Sequence, residues 1–286
     1  MKFRKLVFLI VLFNLFFTVC FSFADDINDL IFKASDLHYQ GKLNESEKIF
    51  LKVLQLDPNN EFALNQLGLL AAKREKFNLA YKYFTRVVNL SPDNTFARIW
   101  VGVLLLKDNK PDKAMQQFER VLQIDPYNAN AYYFIGVIYA VEHNLEQSIK
   151  FLRKAQQVGS DDPETHYRLA NAFLGLDMIY NAELELNRAL QINPKYVKAM
   201  NALGWIYFNQ GHVSKALSVW NKALKLEPKN SEARHNLAKV YNEMALQAYK
   251  KGDIRKATSF WKKTLIFEPR NKSARYYLKK VSKRRK

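Results

Sequence analysis

One outline recurs along this chain every 34 residues. LGWIYFNQGHVSKALSVWNKALKLEP runs from Leu203 to Pro228. LGLLAAKREKFNLAYKYFTRVVNLSP, from Leu67 to Pro92, and VGVLLLKDNKPDKAMQQFERVLQIDP, from Val101 to Pro126, keep its small residues, its bulky residues and its closing proline while sharing few identities. A fixed period of this length marks a chain built from stacked copies of one supersecondary unit, none of which can bury its apolar face alone.

Counting repeats from Ile27, Glu61, Thr95, Ala129, Pro163 and Val197, the eighth position reads Ala34, Gly68, Gly102, Gly136, Ala170 and Gly204. The twentieth reads Ser46, Ala80, Ala114, Ser148, Ala182 and Ala216, and the twenty-fourth Phe50, Phe84, Phe118, Leu152, Leu186 and Trp220. Position 32 is proline in every repeat but the fourth, which has Ser160 there and its proline late, at Pro163. Apolar residues recur at three- and four-residue spacing in each half, with a polar hinge between, so each unit reads as two helices, A and B. A small residue at position 8 lets helix A approach helix B near position 20, and the bulky residue at 24 fills the next layer. Proline at 32 cannot continue helix B. Asn60, Asn94, Asn128 and Asn230 then stand where the next helix needs a capping oxygen, and Pro111 falls at the start of a B helix, where its missing donor costs nothing. Gly41, Gly211 and Gly252 lie at hinges.

This pattern resembles the tetratricopeptide repeat, with small residues at 8, 20 and 27, large ones at 11 and 24, and proline at 32. The resemblance covers residues 27–271 and implies an all-α fold: a right-handed α-solenoid of helix pairs, with A helices lining the concave face. It also implies binding of a protein or peptide segment rather than catalysis. Seven units are expected, at 27–60, 61–94, 95–128, 129–162, 163–196, 197–230 and 231–271. The last fits only with seven extra residues. Seven residues make about two helical turns, so the apolar face survives the insertion, and one long A helix is expected from Glu232 to Lys251, reaching about 10 Å past its neighbours. After Pro269, Ala274, Tyr277, Leu278 and Val281 suit an amphipathic capping helix within residues 272–286.

The first 24 residues read as a targeting segment. Lys2, Arg4 and Lys5 precede an apolar stretch from Leu6 to Phe23, and Ser22-Phe23-Ala24 forms a small-x-small site before Asp25. A cleaved signal peptide fits this plan; the stretch is also long enough to stay as a membrane anchor. Either way the protein is expected to be exported, periplasmic or secreted if cleaved. The only cysteine, Cys20, lies in this segment, so the remainder offers no disulfide, zinc thiolate or thiol nucleophile. The net charge of +18 is concentrated at the other end: residues 250–286 hold fifteen Lys or Arg against Asp253 and Glu268.

No Walker loop, G-x-S-x-G or H-E-x-x-H is present. His38, His143, His166, His212 and His235 form no pair at metal-ligand spacing. Asp161-Asp162 and Glu183/Glu185 fall at a loop and on a helix face, where solvated charge is the default. No cofactor, metal or catalytic residue is expected. Mapping the concave positions implied by the resemblance selects Phe96, Ile99, Val103, Tyr133, Val137, Tyr167, Asn171, Asn201, Trp205 and Phe208, an apolar and aromatic stripe with interspersed asparagines. Such a stripe either packs between neighbouring A helices or binds an apolar or amphipathic partner segment. The family's carboxylate clamp, lysine at 5 and asparagine at 9 with further basic positions, is not supplied by any three consecutive units. A second candidate is the basic end, Lys279, Lys280, Lys283, Arg284, Arg285 and Lys286, facing an anionic membrane or glycan surface; nucleic acid is not expected outside the cytoplasm.

Overall fold

The computed structural model describes residues 27–159 and 161–283. The expected targeting segment, Ser160 and the last three basic residues, Arg284, Arg285 and Lys286, lie outside the described residues. Every regular element among the described residues is a helix. The chain divides into two compact units at Ile135 and Gly136. The first holds α1 (residues 27–39), α2 (Leu43–Leu56), α3 (Glu61–Lys73), α4 (Phe77–Leu90), α5 (Thr95–Lys107), α6 (Pro111–Ile124) and the first half of α7 (Ala129–Val141). The second holds the rest of α7, then α8 (Leu145–Gln157), α9 (Pro163–Gly175), α10 (Ile179–Ile192), α11 (Val197–Asn209), α12 (Val213–Leu226), α13 (Ser231–Lys250), α14 (Ile254–Phe267) and α15 (Lys272–Lys283).

The helices begin and end where local chemistry directs. Asn60, Asn94, Asn128 and Asn230 accept from the amides of Ala63, Ala97, Ala131 and Ala233 at 2.9–3.1 Å, each satisfying one of the donors a helix start leaves open. Two repeats depart from this column: Asp162 caps the amides of Glu164 and Thr165, and Tyr196 precedes α11 without a side-chain cap. Every hinge turns through one left-handed residue, at repeat position 15 in Gly41, Glu75, Asn109, His143, Asp177 and Gly211 and seven residues later in the extended repeat, at Gly252, with φ from 56° to 80°. Only glycine enters that region without a Cβ clash, so the four other hinges carry local strain.

Within each pair the bulky column lies directly on the small one. A Cβ on Gly68 would stand 2.7 Å from the ring of Phe84, one on Gly102 2.5 Å from Phe118, and one on Gly204 2.5 Å from Trp220. Positions 8 and 24 therefore share one layer instead of occupying successive layers, because an aromatic ring fits flat against backbone that has no side chain. Position 20 also comes close: Ser46 Oγ donates to the carbonyl of Ala34 at 2.8 Å. The same ring at position 24 reaches the next pair. Phe84 stacks on Trp100 with centroids 5.5 Å apart, Phe118 on Phe134 at 5.2 Å, and Trp261 on Tyr277 at 4.9 Å. Each such ring is fully buried, which is worth about 2–3 kcal/mol apiece.

The long seventh A helix is present as α13, 20 residues against 13 for α11. Its two halves serve different neighbours. Ala233, Leu237 and Val240 pack with Trp220 and Met200, whereas Ala245 and Ala248 pack with Ala257, Trp261, Ala274 and Val281. The insertion thus adds a second small position, Ala245, two turns after Ala238, and α14 closes on the later one. The capping helix is α15, whose Ala274 and Val281 are buried against α13 and α14.

Trp220 cannot move aside, since its indole N–H donates to the Asn201 carbonyl at 3.1 Å. Gly204→Ala should therefore lower stability by about 1–3 kcal/mol despite alanine's better helix propensity, measured by urea unfolding. Conversely, Glu75→Gly should raise stability by about 0.5–1 kcal/mol by relieving a strained hinge, and Gly211→Val should lower it by at least as much.

Candidate functional site

The first unit carries an apolar groove on its A-helix face. One concavity of about 450 Å³ is lined by Leu69, Leu70 and Ala72 of α3, Phe77 of α4, Trp100, Val103 and Leu104 of α5, His38 of α1, and Lys73 and Lys107. A second of similar volume, about 450 Å³, is lined by Thr95, Phe96, Ile99, Trp100 and Val103 with Asn128, Asn130 and Phe134. Trp100 and Val103 belong to both, so the two form a continuous strip across four repeats. Three of the expected groove residues, Phe96, Ile99 and Val103, meet here, and Phe96 is 46% exposed. Tyr133 sits beside the strip, its ring 5.0 Å from Phe134.

The strip also includes residues that the concave-position mapping passes over. Trp100 and Phe134 stand at position 6, each stacked on the bulky residue sixteen positions earlier. An aromatic at that spacing is the signal that would have found them. Their inner faces build the repeat-to-repeat contact and their edges remain for the groove.

The other expected residues lie in the second unit. Val137 and Phe208 are half-buried, Asn171 is exposed and Trp205 is 44% exposed. Tyr167 packs edge-on to Tyr196 at 5.9 Å, with Lys198 Nζ 5.8 Å above its ring. Asn201 does not belong to a binding surface: it is buried, and its amide nitrogen donates to Asn230 Oδ1 and Glu232 Oε2, both at 3.0 Å. Its position on the inner helix face is filled by the next repeat's capping turn.

One expectation about charge is corrected: Glu185 is buried, not solvated, and it meets His166. His166 Nδ1 lies 2.6 Å from Glu185 Oε2 and its Nε2 2.9 Å from Asp161 Oδ1, while Arg153 approaches Glu185 at 3.0 Å. The cause is register: positions 4 and 23 of one repeat face each other across α9 and α10, nineteen residues apart in sequence. Burial works against the imidazolium, but the hydrogen bonds and charges of Glu185 and Asp161 outweigh it and hold the His166 pKa above its usual value. Burial likewise raises Glu185, but the His166 hydrogen bond and the charges of Arg153, His166 and Arg188 bring it below the ordinary carboxylate value. Among the described residues no three His, Cys, Asp or Glu side chains are grouped to hold a metal ion, and no helix is long and apolar enough to cross a membrane.

Family models described as tetratricopeptide repeat match residues 33–60, 65–129, 105–172, 163–196 and 197–230, most of the chain. The chain is a tetratricopeptide repeat protein. This repeat protein is 37% identical over 82 residues to anaphase-promoting complex subunit 3 of Schizosaccharomyces pombe, a match spanning 26% of the chain and 12% of that relative's length. Its fold is similar to the C-terminal part of a repeat-containing protein from Cytophaga hutchinsonii, with a TM-score of 0.63 and 19% identity over 85% of this chain and 97% of that one. It is also similar to YrrB, described as a protein with an unusual peptide-binding site, with a TM-score of 0.53 and 22% identity over 68% of this chain and 97% of that one. Proteins of this family bind protein or peptide partners and typically act as non-enzymatic scaffolds.

The His166–Glu185 pair predicts a bounded stability optimum for this repeat protein. The histidine, raised from 6.5, contributes fully below pH 6.5 and loses its contribution as pH climbs through its folded value. The glutamate, lowered from 4.5, contributes fully above pH 4.5 and loses its contribution as pH falls through its folded value. Thermal midpoints measured from pH 5 to 9 should decline above neutrality. His166→Gln should flatten that decline and cost about 3 kcal/mol at pH 5.5, by leaving a buried carboxylate to the Arg153 ion pair and the charge of Arg188.

Proposed function

We propose that this protein is a non-enzymatic scaffold of the cell envelope that docks an apolar or amphipathic segment of a protein partner in the groove of its first unit. The observation that carries the reading is the continuous strip from Leu69 to Phe134, open, apolar and walled by rings already fixed by packing. A rigid wall loses little entropy when a partner arrives, so aromatic area converts efficiently into affinity. The exposed Asn130 at the uncharged end can bond a peptide backbone. The envelope assignment rests on the targeting plan of residues 1–24. The peptide-binding site of YrrB is a precedent for the fold and says nothing of this partner's sequence.

A second reading rests on α15. This helix exposes Arg275, Lys279 and Lys283, carries Lys280 over the Tyr276 ring at 5.9 Å, and has no acidic residue. That face suits an anionic lipid or glycan surface.

Photo-crosslinking in the native cell separates the readings. A photoreactive residue in place of Phe96 should yield a discrete protein adduct, and one in place of exposed Lys82 on α4 should not. Phe96→Ala should weaken capture of the identified partner roughly tenfold, about 1.4 kcal/mol. Deleting residues 279–286 should leave the adduct intact. An adduct that survives groove substitution but disappears with the deletion would replace the first reading with the second.

A further inference from the structure

The groove has an electrical direction. At its uncharged end the polar side chains are Thr95, Asn128 and Asn130. At the other end, over the C-termini of α3 and α5, the only charged side chains on the wall among the described residues are Lys73 and Lys107. Among the described residues no carboxylate lines either concavity. Among the ion pairs of the described residues, none involves Lys73 or Lys107. Lys107 is nonetheless held in place: its Nζ sits 5.0 Å from the centroid of Phe77, itself a wall residue. The adjoining depression on the same hinge edge, about 730 Å³, adds Lys76, Lys110 and Lys113 against Glu75 and Asp108, and Asp108 is engaged by Lys110 at 2.5 Å. The potential at this end of the groove is therefore positive.

From this polarity we infer that the docked segment is acidic at one end: a short apolar stretch followed by one or two carboxylates that meet Lys73 and Lys107. The inference deepens the scaffold reading and rests on it. An entirely apolar occupant would cover two ammonium groups and leave them without a partner, and a basic one would be repelled. A carboxylate offsets the desolvation it causes by pairing with a cation beside a low-dielectric wall. The dimensions fix the length of the apolar part. Phe96 to Lys107 spans eleven residues of α5, about 16 Å, the reach of about five extended residues. The lysines occupy position 13 of their repeats, so this arrangement is separate from the position-5 and position-9 clamp that the chain lacks.

Selection of a displayed random peptide library on the folded wild-type chain tests this directly. The winners are then measured against the F96S, V103S and K73E/K107E variants, each checked for native helicity by circular dichroism. The expected winners lose binding to F96S and V103S and are enriched in Asp or Glu on one side of an apolar run. A representative acidic peptide should bind K73E/K107E at least tenfold more weakly, and the wild-type affinity should fall with added salt. Winners that depend on Phe96 and Val103 but show no acidic bias, or whose bias persists on K73E/K107E, would overturn the inference and leave the scaffold reading standing. Winners indifferent to F96S and V103S, or a selection that recovers nothing, would overturn the scaffold reading and the inference together.

Discussion

A ring laid flat on bare helix backbone is the contact on which the rest of this protein depends. The residue at position 24 closes its own helix pair by lying on the glycine or alanine at position 8, and where it is Phe84, Phe118 or Trp261 it also stacks on the aromatic that opens the following pair. One side chain thus couples the cohesion of a unit to the cohesion between units. That coupling is why no single pair would be stable alone and why a linear array is. It also builds the groove. Trp100 and Phe134 are held from behind by the stacks and present what is left of their surface to a partner, so the recognition wall is a by-product of the packing that makes the fold.

The seventh pair shows how far the rule bends. Two extra turns in α13 leave the first half of the helix to satisfy Trp220 and the second half to satisfy Trp261. An insertion of any length out of phase with the helix would have rotated one of those faces into solvent. Seven residues keep both on one side, at the cost of displacing the site where α14 closes. The small position is needed twice, and the sequence supplies it twice, as Ala238 and Ala245. After α14, α15 repeats the opening half of a unit, down to Tyr277 stacked on Trp261, but its position 8 is the exposed Lys279 in place of a small residue.

Features that depend on residues at a constant spacing were legible in advance. The asparagine caps, the small and bulky columns, the long α13 and the capping helix all follow from counting along the chain. What escaped was set by partners whose spacing is not repeated. Glu185 read as surface charge because nothing near it in sequence announces His166, which arrives from the neighbouring helix. Asn201 read as a groove residue because its column faces inward in most repeats, and only here do Asn230 and Glu232 reach back to cover it. The hinges were half legible. Gly41, Gly211 and Gly252 advertise a left-handed turn, whereas Glu75, Asn109, His143 and Asp177 adopt the same backbone under compulsion from the helices they join. Three of the groove residues were found from concave positions, but the position-6 aromatics were not, because their second role appears only once the stacks are seen.

The treatment of charge separates architecture from recognition. Inside the second unit, the buried ionisable groups are answered by the chain itself: His166 by Glu185 and Asp161, and Glu185 also by Arg153, while the Asn201 amide nitrogen donates to Asn230 and Glu232. Burial makes this obligatory, since an uncompensated charge in such a place would cost more than the whole contact returns. On the groove wall the rule is relaxed. Lys73 and Lys107 are exposed and join no ion pair among the described residues, while Phe77 orients Lys107 without neutralising it. A side chain that is positioned but not neutralised keeps its electrostatic interaction free for a partner. The same wall shows the corresponding treatment of apolar surface in Phe96, which is anchored at its base by packing and nearly half exposed at its edge.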